Sequence, residues 1–291
     1  MNPLQSFFTF LNAVKRKLWR EVTFTKTVRE KMRGEKYVYR FDRAQTEWRH
    51  IPVDEIGYLD SAALLSRDDA FLLGLTKKFE KKRYDLKGWR NFRNRWRELS
   101  GVDSLRGKHV LDFGCGFGIE SLQFARNGNR VSLADILPSN LALAERILKL
   151  HGFSPLEVVQ ATNEFPFFSL RNSLDVFYSH GVLHHTPKIR EILKRACELL
   201  APGGEIRLML YSDEAWKIAT GAGLPPVSEE VTSHPSFFKY VRFFDSYGEY
   251  ADWYNREKLE SRFGDFLTIN SVDYFTRDGR FLMTTMVPKT V

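Results

Sequence analysis

Short apolar runs alternate with longer amphipathic stretches from about residue 105 onward. Two stretches, residues 139–150 and 188–200, place their apolar side chains at the spacing of a helix face. The apolar runs with the length of a buried strand are residues 110–112, 131–135, 156–160, 175–180 and 205–210. Alternation of this kind predicts an α/β fold, in which a doubly wound, mostly parallel sheet carries helices on both faces.

The end of the chain departs from this alternation. Residues 266–275 and 280–287 are both strand-like, and only residues 276–279 separate them. So short a link can form a hairpin, whereas a parallel crossover needs about a dozen residues or more. We therefore predict a seven-stranded sheet whose last strand is antiparallel.

Regions outside the repeat suggest the domain organisation. We assign residues 1–104 to a mainly helical, basic N-terminal extension or lid, and residues 105–291 to one α/β domain. Within that domain, residues 211–264 are an insertion before the final hairpin. A chain of 291 residues, of which 43% are hydrophobic and 14% aromatic, can bury a large core around one such domain.

A glycine-rich turn follows the first predicted strand. Asp112 ends the apolar run, glycines follow at alternate positions within residues 114–118, and the next strand ends in Asp135. At that place in a doubly wound sheet an acidic side chain accepts hydrogen bonds from two ribose hydroxyls. A dinucleotide site would need a further glycine where this chain has Ile119. The pattern therefore predicts a nucleoside cofactor site and does not match the dinucleotide fingerprint.

The segment Asp112-Phe-Gly-Cys-Gly-Phe-Gly118 resembles the first motif of the class I S-adenosylmethionine-dependent methyltransferases, and the resemblance covers about residues 105–287. It implies S-adenosyl-L-methionine as cofactor and S-adenosyl-L-homocysteine as product. It also implies that the glycine loop passes under the methionine part while Asp135 holds the ribose. The cofactor-binding residues that we expect on this basis are Asp112, Gly114, Cys115, Gly116, Gly118, Asp135, Ile136, Thr162, Asn163, Ser179 and His180.

One position departs from the family pattern. Relatives usually carry an acidic residue after the third strand, where it accepts a hydrogen bond from the adenine amino group, and this chain has Ala161 there. The side chain of Asn163 and the backbone at Thr162 are the alternatives for that contact.

Two adjacent histidines follow the fourth predicted strand. Residues 179–187 resemble the loop that faces the transferred methyl group in small-molecule members of the family. Because a neutral imidazole is a competent base near pH 7, His184 and His185 are the catalytic candidates. The alternative is that one histidine orders the loop by hydrogen bonds while the other packs on the following helix.

Aromatic residues of the insertion predict the acceptor site. Tyr211, Tyr250 and Trp253 are candidates for the wall of a pocket around an apolar or ring-containing substrate. Alternatively, the aromatic residues seal a helical cap onto the sheet. The function predicted from these motifs is in-line transfer of a methyl group to an oxygen or nitrogen of a small-molecule metabolite.

Positive charge is concentrated in the extension, and the whole chain carries a formal net charge of +8. It peaks between residues 77 and 97, where ten basic side chains are interleaved with aromatic ones. A nucleic acid could be bound by such a segment, so an RNA-modifying methyltransferase is an alternative function. The competing interpretation is a single helix whose buried face is formed by Trp89, Phe92, Trp96 and Leu99.

Residues 4–18 form a one-sided apolar stretch, which suits either packing on the protein or peripheral contact with a membrane. The stretch is too short to span a bilayer, so we predict no transmembrane segment.

The remaining composition narrows the location and the chemistry. Cys115 and Cys197 are the two cysteines, and their positions predict no disulfide and a reducing, cytoplasmic location. No metal-ligand spacing is present in the sequence. A third function stays open, namely a cofactor-binding protein without catalysis or a subunit that needs a partner chain.

Overall fold

The structure, a computed structural model, describes residues 37, 39–52, 58–162, 173–243 and 250–289. The apolar stretch of residues 4–18 and the predicted adenine contact Asn163 lie outside these residues. The described strands are β1 (His50–Pro52), β2 (Tyr58–Asp60), β3 (His109–Phe113), β4 (Arg130–Asp135), β5 (Val158–Gln160), β6 (Leu174–His180), β7 (Leu200–Tyr211), β8 (Leu267–Tyr274) and β9 (Phe281–Pro288).

The described α-helices are α1 (Phe41–Trp48), α2 (Ser61–Leu65), α3 (Asp69–Arg83), α4 (Arg95–Ser100), α5 (Ile119–Arg126), α6 (Pro138–Leu150), α7 (Ile189–Leu199), α8 (Asp213–Thr220), α9 (Phe237–Phe243) and α10 (Arg256–Phe263). None of these helices is long and apolar enough to cross a membrane.

Seven strands form one sheet in the order β5-β4-β3-β6-β7-β9-β8. The strands from β3 to β7 pair in parallel, whereas β9 runs antiparallel to both of its neighbours, β7 and β8. The predicted doubly wound sheet with an antiparallel last strand is thereby confirmed. Because β9 inserts next to β7, Phe281 stands opposite Tyr211 at the carboxyl end of β7.

Each face of the sheet has its own hydrophobic core. Val110 of β3 is buried in a cluster with Leu122 of α5 and Ile147 of α6. Leu111, the next residue, is buried in a second cluster with Leu193 of α7 and Leu259 of α10. Successive side chains of a strand point to opposite faces, so a strand that is apolar at every position needs a helix layer on both sides.

Local sequence signals set several of the helix ends. Pro138 occupies the first turn of α6, where a missing N–H leaves no intrahelical bond unmade. Asp68 caps α3 by accepting a hydrogen bond of 2.7 Å from the Phe71 N–H. These signals fix the points at which the chain enters the helices around the sheet.

The N-terminal extension shares a core with the α/β domain. Phe79 of α3 and Trp96 of α4 are buried in the same cluster as Val110. The guanidinium of Arg83, at the end of α3, forms a buried ion pair with Glu120 of α5. The boundary between residues 104 and 105 stays a prediction, and it falls within one continuous packing unit.

The alternative of one helix with Trp89, Phe92, Trp96 and Leu99 on a single buried face is wrong. Helix α3 ends at Arg83, and α4 begins only at Arg95, after a short 3-10 turn. The segment Asp85-Leu-Lys-Gly88 forms a turn closed by a 3.0 Å bond from the Gly88 N–H to the Asp85 carbonyl. Aspartate and glycine are the residues preferred at the first and fourth positions of such a turn, and they interrupt the helix.

This interruption separates the side chains that were expected on one buried face. Trp96 is fully buried in α4, whereas Trp89 lies in the connecting segment and is 41% exposed. Arg93 and Asn94 also adopt positive φ angles, of 55° and 64°, which no continuous helix contains.

Gly118, which precedes α5, should tolerate no side chain. Its φ of +79° favours glycine, and a Cβ there would lie 2.8 Å from the Cβ of Ala144 in α6. We expect Gly118→Ala to lower the free energy of unfolding by roughly 2–4 kcal/mol, because backbone strain and overpacking add. Chemical denaturation measures the loss.

Gly128→Ala is the matched control. Gly128 has a φ of +77°, and no atom lies within 4 Å of its added Cβ. Only the backbone strain of about 1–2 kcal/mol should then remain. Equal losses in the two variants would contradict the packing contact with Ala144.

Candidate functional site

A cavity of about 790 Å³ opens at the edge where the parallel strands have their carboxyl ends. Its wall includes Gly114 and Cys115 after β3, Ile136 after β4 and Gly181 after β6. Open α/β sheets bind their ligands at this edge. The volume lies within the roughly 300–1,000 Å³ that is typical of small-molecule pockets.

The three glycines of the loop after β3 all have positive φ angles, but they serve different contacts. A Cβ at Gly114 would come within 2.3 Å of Val182, so this glycine makes room for the loop after β6. Gly118 makes room for α6 and does not line the cavity. At Gly116 the nearest atom is Cγ2 of Ile51, at 3.5 Å, so Gly116 is the glycine that leaves space for a ligand.

Asp135 ends β4 and joins three parts of the site. Its Oδ2 accepts a hydrogen bond of 3.0 Å from the Gly116 N–H. Its Oδ1 accepts bonds of 3.0 Å from the Leu137 N–H and from Nδ2 of Asn140. Burial raises the pKa of this carboxyl to about 6, although the same hydrogen bonds act to lower it. Asp135 thus fixes the glycine loop against the start of α6.

Asn140 supplies a second acceptor beside Asp135. Its Oδ1 is buried and has no hydrogen-bond partner among the described residues, and the side chain lines the cavity. Buried polar atoms are normally paired. Acceptors on two adjacent side chains at the end of β4 fit the two hydroxyl donors of a ribose.

A group of charged side chains lines the same end of the cavity. Asp112 of β3 accepts a hydrogen bond from the Ser121 hydroxyl. Burial, together with the nearby Glu120 carboxylate, raises the pKa of Asp112 to about 7. Glu120 is paired with Arg83, and both line the cavity. The charged groups at this end are therefore predominantly acidic.

His184 is buried and holds the loop after β6 in place. Its Nδ1 accepts a hydrogen bond of 3.3 Å from the Tyr211 N–H, and its ring packs against the Tyr211 ring at 3.9 Å between centroids with the planes tilted by 35°. Burial and the adjacent His185 lower the pKa of His184 well below its ordinary value, so the ring is neutral. Because the backbone already uses its lone pair, the geometry favours the loop-ordering role for His184.

His185 lines the cavity with a different tautomer. Its Nδ1 lies 3.1 Å from the carbonyl oxygen of Tyr250. A carbonyl can only accept, so Nδ1 carries the proton and the neutral ring keeps its lone pair on Nε2. The ring packs 4.7 Å from the Trp48 ring and edge-on to Tyr211 at 5.4 Å. Of the two histidines, His185 therefore has the geometry of a base.

His180 ends β6 and also lines the cavity. Its Nδ1 accepts a hydrogen bond of 3.1 Å from Nε1 of Trp96, and the Arg90 guanidinium contacts its other ring nitrogen. Burial lowers the pKa of His180 well below its ordinary value, and the charges of Arg83 and Arg90 lower it further. A neutral His180 thus joins the extension to the floor of the site.

The other predicted residues divide into two groups. Those that line the cavity are Cys115, Ile136, Thr162 and Tyr211. Ser179 lies away from it, and its hydroxyl donates a 2.8 Å bond to the Phe113 carbonyl. Tyr250 and Trp253 are buried outside the cavity lining, which matches the alternative of a cap sealed onto the sheet. Among the described residues no three His, Cys, Asp or Glu side chains form a candidate metal site.

Several residues of the site come from the extension and were missed in the sequence. Trp48 of α1 covers His185, and Trp89 packs on Phe281 at 5.2 Å between ring centroids. Arg83 is one of ten basic residues in its segment, and no local signal distinguishes it from the others. Glu120 had such a signal, because it lies in the first turn of the helix after the glycine loop.

Comparison with known proteins places this site in a family. Residues 111–208 match the family model of a methyltransferase domain. Ubiquinone biosynthesis O-methyltransferase of Erwinia tasmaniensis is 29% identical over 163 residues, which are 55% of this chain and 65% of that protein. The Cronobacter sakazakii protein of the same name is 36% identical over 102 residues, which are 35% and 42% of the two chains. The chain thus spans less than two thirds of the length of these curated relatives.

A solved structure shares the fold. The crystal structure of the PH0226 protein from Pyrococcus horikoshii matches with a TM-score of 0.53 at 14% identity, over 74% of this chain and 99% of that chain. The family match runs from β3 to β7 and includes the glycine loop, Asp135 and both histidines.

Residues 111–208 are a methyltransferase domain of the class I S-adenosylmethionine-dependent type. S-adenosylmethionine is the cofactor of the methyltransferase domain, and the acceptors at Asp135 and Asn140 fit its ribose.

The raised pKa of Asp112 predicts how the stability of the methyltransferase domain depends on pH. The pKa of Asp112 is about 7 in the fold against an ordinary value of 3.8, so the folded state binds this proton more tightly. Its contribution to stability is therefore lost as the pH rises from about 4 to 7. We compare the free energy of unfolding of Asp112→Asn with that of the wild type at each pH. The difference should favour the variant more at pH 8 than at pH 4, by up to roughly 4 kcal/mol. Urea unfolding at both pH values measures this gain.

Asp175→Asn is a control of opposite sign. Burial acts to raise the pKa of Asp175, but hydrogen bonds from the His109 N–H and from Lys108 outweigh it and hold that pKa below its ordinary value. Its contribution to stability is present at pH 8 and lost in acid, so this variant should lose stability at pH 8. If both substitutions changed the stability in the same direction between pH 4 and pH 8, the raised pKa of Asp112 would be contradicted.

Proposed function

We propose that this protein transfers the methyl group of S-adenosylmethionine to an oxygen atom of a small molecule. The observation that carries the proposal is the hydrogen bond between Nδ1 of His185 and the Tyr250 carbonyl, which favours the tautomer with its proton on Nδ1 in a residue that lines the cavity. The curated relatives are named as O-methyltransferases, which supports oxygen as the acceptor atom.

We assign the cofactor to the end of the cavity formed by β3 and β4. There Asp135 and Asn140 accept from the ribose hydroxyls, and the open space at Gly116 allows close approach of the methionine part. The carboxylates of Asp112 and Glu120 suit a ligand with ammonium and sulfonium charges. Cys115, Ile136 and Thr162 complete the walls.

The adenine contact falls outside the usual acidic position. Ala161 is 3% exposed, and its N–H donates a 2.8 Å bond to the Asp135 carbonyl. Thr162 follows it on the cavity wall. We infer that the backbone or the hydroxyl of Thr162 replaces the missing carboxylate.

The chemistry asked of the protein is modest. Bound S-adenosylmethionine supplies a methyl group that its sulfonium already activates. The residues of the chain then orient the acceptor in line with the sulfur–carbon bond and receive its proton. Nε2 of His185 would accept the proton of the acceptor hydroxyl, whose oxygen would take the methyl group that the cofactor supplies. The Tyr250 carbonyl, bonded to Nδ1–H, stabilises the imidazolium that results.

The extension covers the reacting centre. Nδ2 of Asn140 donates a 3.3 Å bond to the Trp48 carbonyl, and Nε2 of Gln45 donates a 3.2 Å bond to the Ile136 carbonyl. These bonds hold α1 across the cavity beside His185. A cover of this kind supports the proposal because it keeps water from the proton acceptor and the methyl group.

The basic segment 77–97 gives less support to an RNA substrate. Three of its arginines, Arg83, Arg95 and Arg97, are ion-paired within the protein. Phe79 and Trp96 are buried in the core, whereas a nucleic acid surface needs accessible rings on which bases stack. The described residues thus favour a small molecule over RNA as the substrate.

Loss of the Asp135 carboxylate should weaken cofactor binding. Asp135→Ala removes a ribose acceptor and the brace of the Gly116 N–H, so we expect the affinity for S-adenosylhomocysteine to fall at least about 10-fold. Isothermal titration measures the affinity. Asp175→Ala is the control, because Asp175 lies near the amino end of β6, away from the cavity. Unchanged affinity in Asp135→Ala would refute the assignment, and no binding by the folded wild type would refute the cofactor.

Substitution of His185 should remove a general base. Methyl transfer to a hydroxyl acceptor should slow by roughly 10²–10⁴-fold in His185→Ala. The wild-type rate should also fall as the pH drops, because protonation removes the base, and this dependence should be absent from the variant. Rates of S-adenosylhomocysteine formation across pH 5–9, on the order of one measurement per half unit, provide the test.

His184→Ala separates catalysis from loop structure. This variant loses a buried ring and its bond to the Tyr211 N–H, so its thermal stability should fall while the pH dependence of the rate is kept. If the pH dependence of the rate were lost in His184→Ala but kept in His185→Ala, His184 would be the base and His185 the loop-ordering residue. Transfer by the isolated chain would also exclude the non-catalytic alternative.

A further inference from the structure

We propose that the methyl acceptor has a planar, apolar body with an anionic group, and that Arg277 and Arg90 bind this group at the end of the cavity remote from Asp135. The inference rests on the proposed function, because it names the chemical class of the acceptor in that reaction. It depends on the shape of the cavity, on the separation of charges within it and on the aromatic side chains between them.

The cavity is elongated along the edge of the sheet. It is lined by Asp135 of β4, Asp112 of β3, His180 of β6, Tyr211 of β7 and Phe281 of β9. These strands are consecutive neighbours in the sheet. Four intervals of about 4.8 Å separate the first strand from the last, so the cavity extends over roughly 19 Å. A cofactor held at β3 and β4 leaves the part over β7 and β9 for the acceptor.

Charge differs between the two ends. Asp112, Glu120 and Asp135 lie at the β3–β4 end, where Arg83 is the paired cation. At the other end the hairpin between β8 and β9 contributes Arg277, Asp278 and Arg280 to the cavity wall. Asp278 and Arg280 form an ion pair with each other.

Arg277 is the cation of this hairpin that remains available. Its guanidinium stacks on the Phe92 ring at 4.6 Å from the centroid, and it makes no ion pair with any described carboxylate. The side chain is exposed. A guanidinium stacked on a ring keeps its N–H groups directed outward, where they can bind a carboxylate or a phosphate with two bonds.

Aromatic rings connect the proposed base with these cations. Ring centroids are 5.4 Å apart between His185 and Tyr211, 5.2 Å between Tyr211 and Phe281, and 5.2 Å between Phe281 and Trp89. The Arg90 guanidinium, which also contacts the His180 ring, lies 4.4 Å from the Trp89 ring centroid. A flat apolar body fits along these rings, with its hydroxyl at His185 and its anionic group near Arg90 and Arg277.

Substrate probes that differ in one substituent test this assignment. We choose flat biphenyl catechols whose distal ring carries a carboxylate, a phosphonate or an uncharged hydroxymethyl group. Two adjacent hydroxyls offer two positions for methylation, and the second ring lets the substituent reach along the row of aromatic side chains. With the full chain and saturating S-adenosylmethionine, an anionic probe should have a kcat/KM at least about 10-fold above that of the hydroxymethyl probe. The preferred anion distinguishes carboxylate from phosphate recognition.

Arg277→Gln should lower this preference at least about 5-fold, because it removes one of the two cations. Arg195→Gln is the matched control, since Arg195 is an exposed, ion-paired arginine of α7 that does not line the cavity. The preference should be unchanged in that variant. Equal kcat/KM for charged and uncharged probes, or a preference that survives in Arg277→Gln, would overturn the proposal.

Direct binding separates a failure of this inference from a failure of the proposed function. The same probes are titrated into the complex with S-adenosylhomocysteine, without any turnover. If no probe is methylated, tighter binding of an anionic probe that Arg277→Gln weakens would support the anion site and count against O-methylation. If the probes are methylated but bind without regard to charge, the O-methylation stands and the anion site is refuted.

Discussion

The buried carboxylate of Asp135 is the interaction on which the site depends. A loop with positive φ at three glycines has little structure of its own, and the hydrogen bond to the Gly116 N–H ties it to the next strand. The same carboxylate holds the start of α6 through Leu137 and Asn140. Burial makes the charge costly, as the raised pKa of Asp135 records. Despite this cost, the hydrogen bonds of Asp135 hold the nucleoside site in its shape before the ligand binds.

The insertion supports the histidine loop more than it lines the cavity. The Asp252 N–H donates a 2.8 Å bond to the His184 carbonyl, and the Tyr250 carbonyl orients His185. Beneath this segment the Asp252 carboxylate is ion-paired with Lys258 at 2.7 Å and with Arg262 at 2.8 Å. Burial lowers the pKa of Lys258 although Asp252 acts to raise it. Buried, paired charges are costly to separate, so they restrict the backbone path of residues 250–254. This path fixes the Tyr250 carbonyl and thereby the imidazole of His185.

Local patterns in the sequence were sufficient for the sheet, the final hairpin and the glycine loop, because each depends on the spacing of neighbouring residues. They were not sufficient where a contact joins distant parts of the chain. The different roles of His184 and His185 follow from backbone groups at Tyr211 and Tyr250, which no motif around the histidines reveals. Over residues 77–97 the basic and aromatic periodicity outweighed the turn signal at Asp85 and Gly88, and the expected helix was wrong.

His185, the proposed base, is oriented by a main-chain atom, and this has an evolutionary consequence. Because Tyr250 contributes its carbonyl oxygen, the identity of the side chain at that position does not affect the tautomer of His185. Under the proposed function, proton transfer depends on the course of the backbone, whereas selectivity depends on side chains that line the cavity, such as Trp89 and Phe281. The two properties are separable, so the domain can acquire a new substrate by point substitutions without having to rebuild its base.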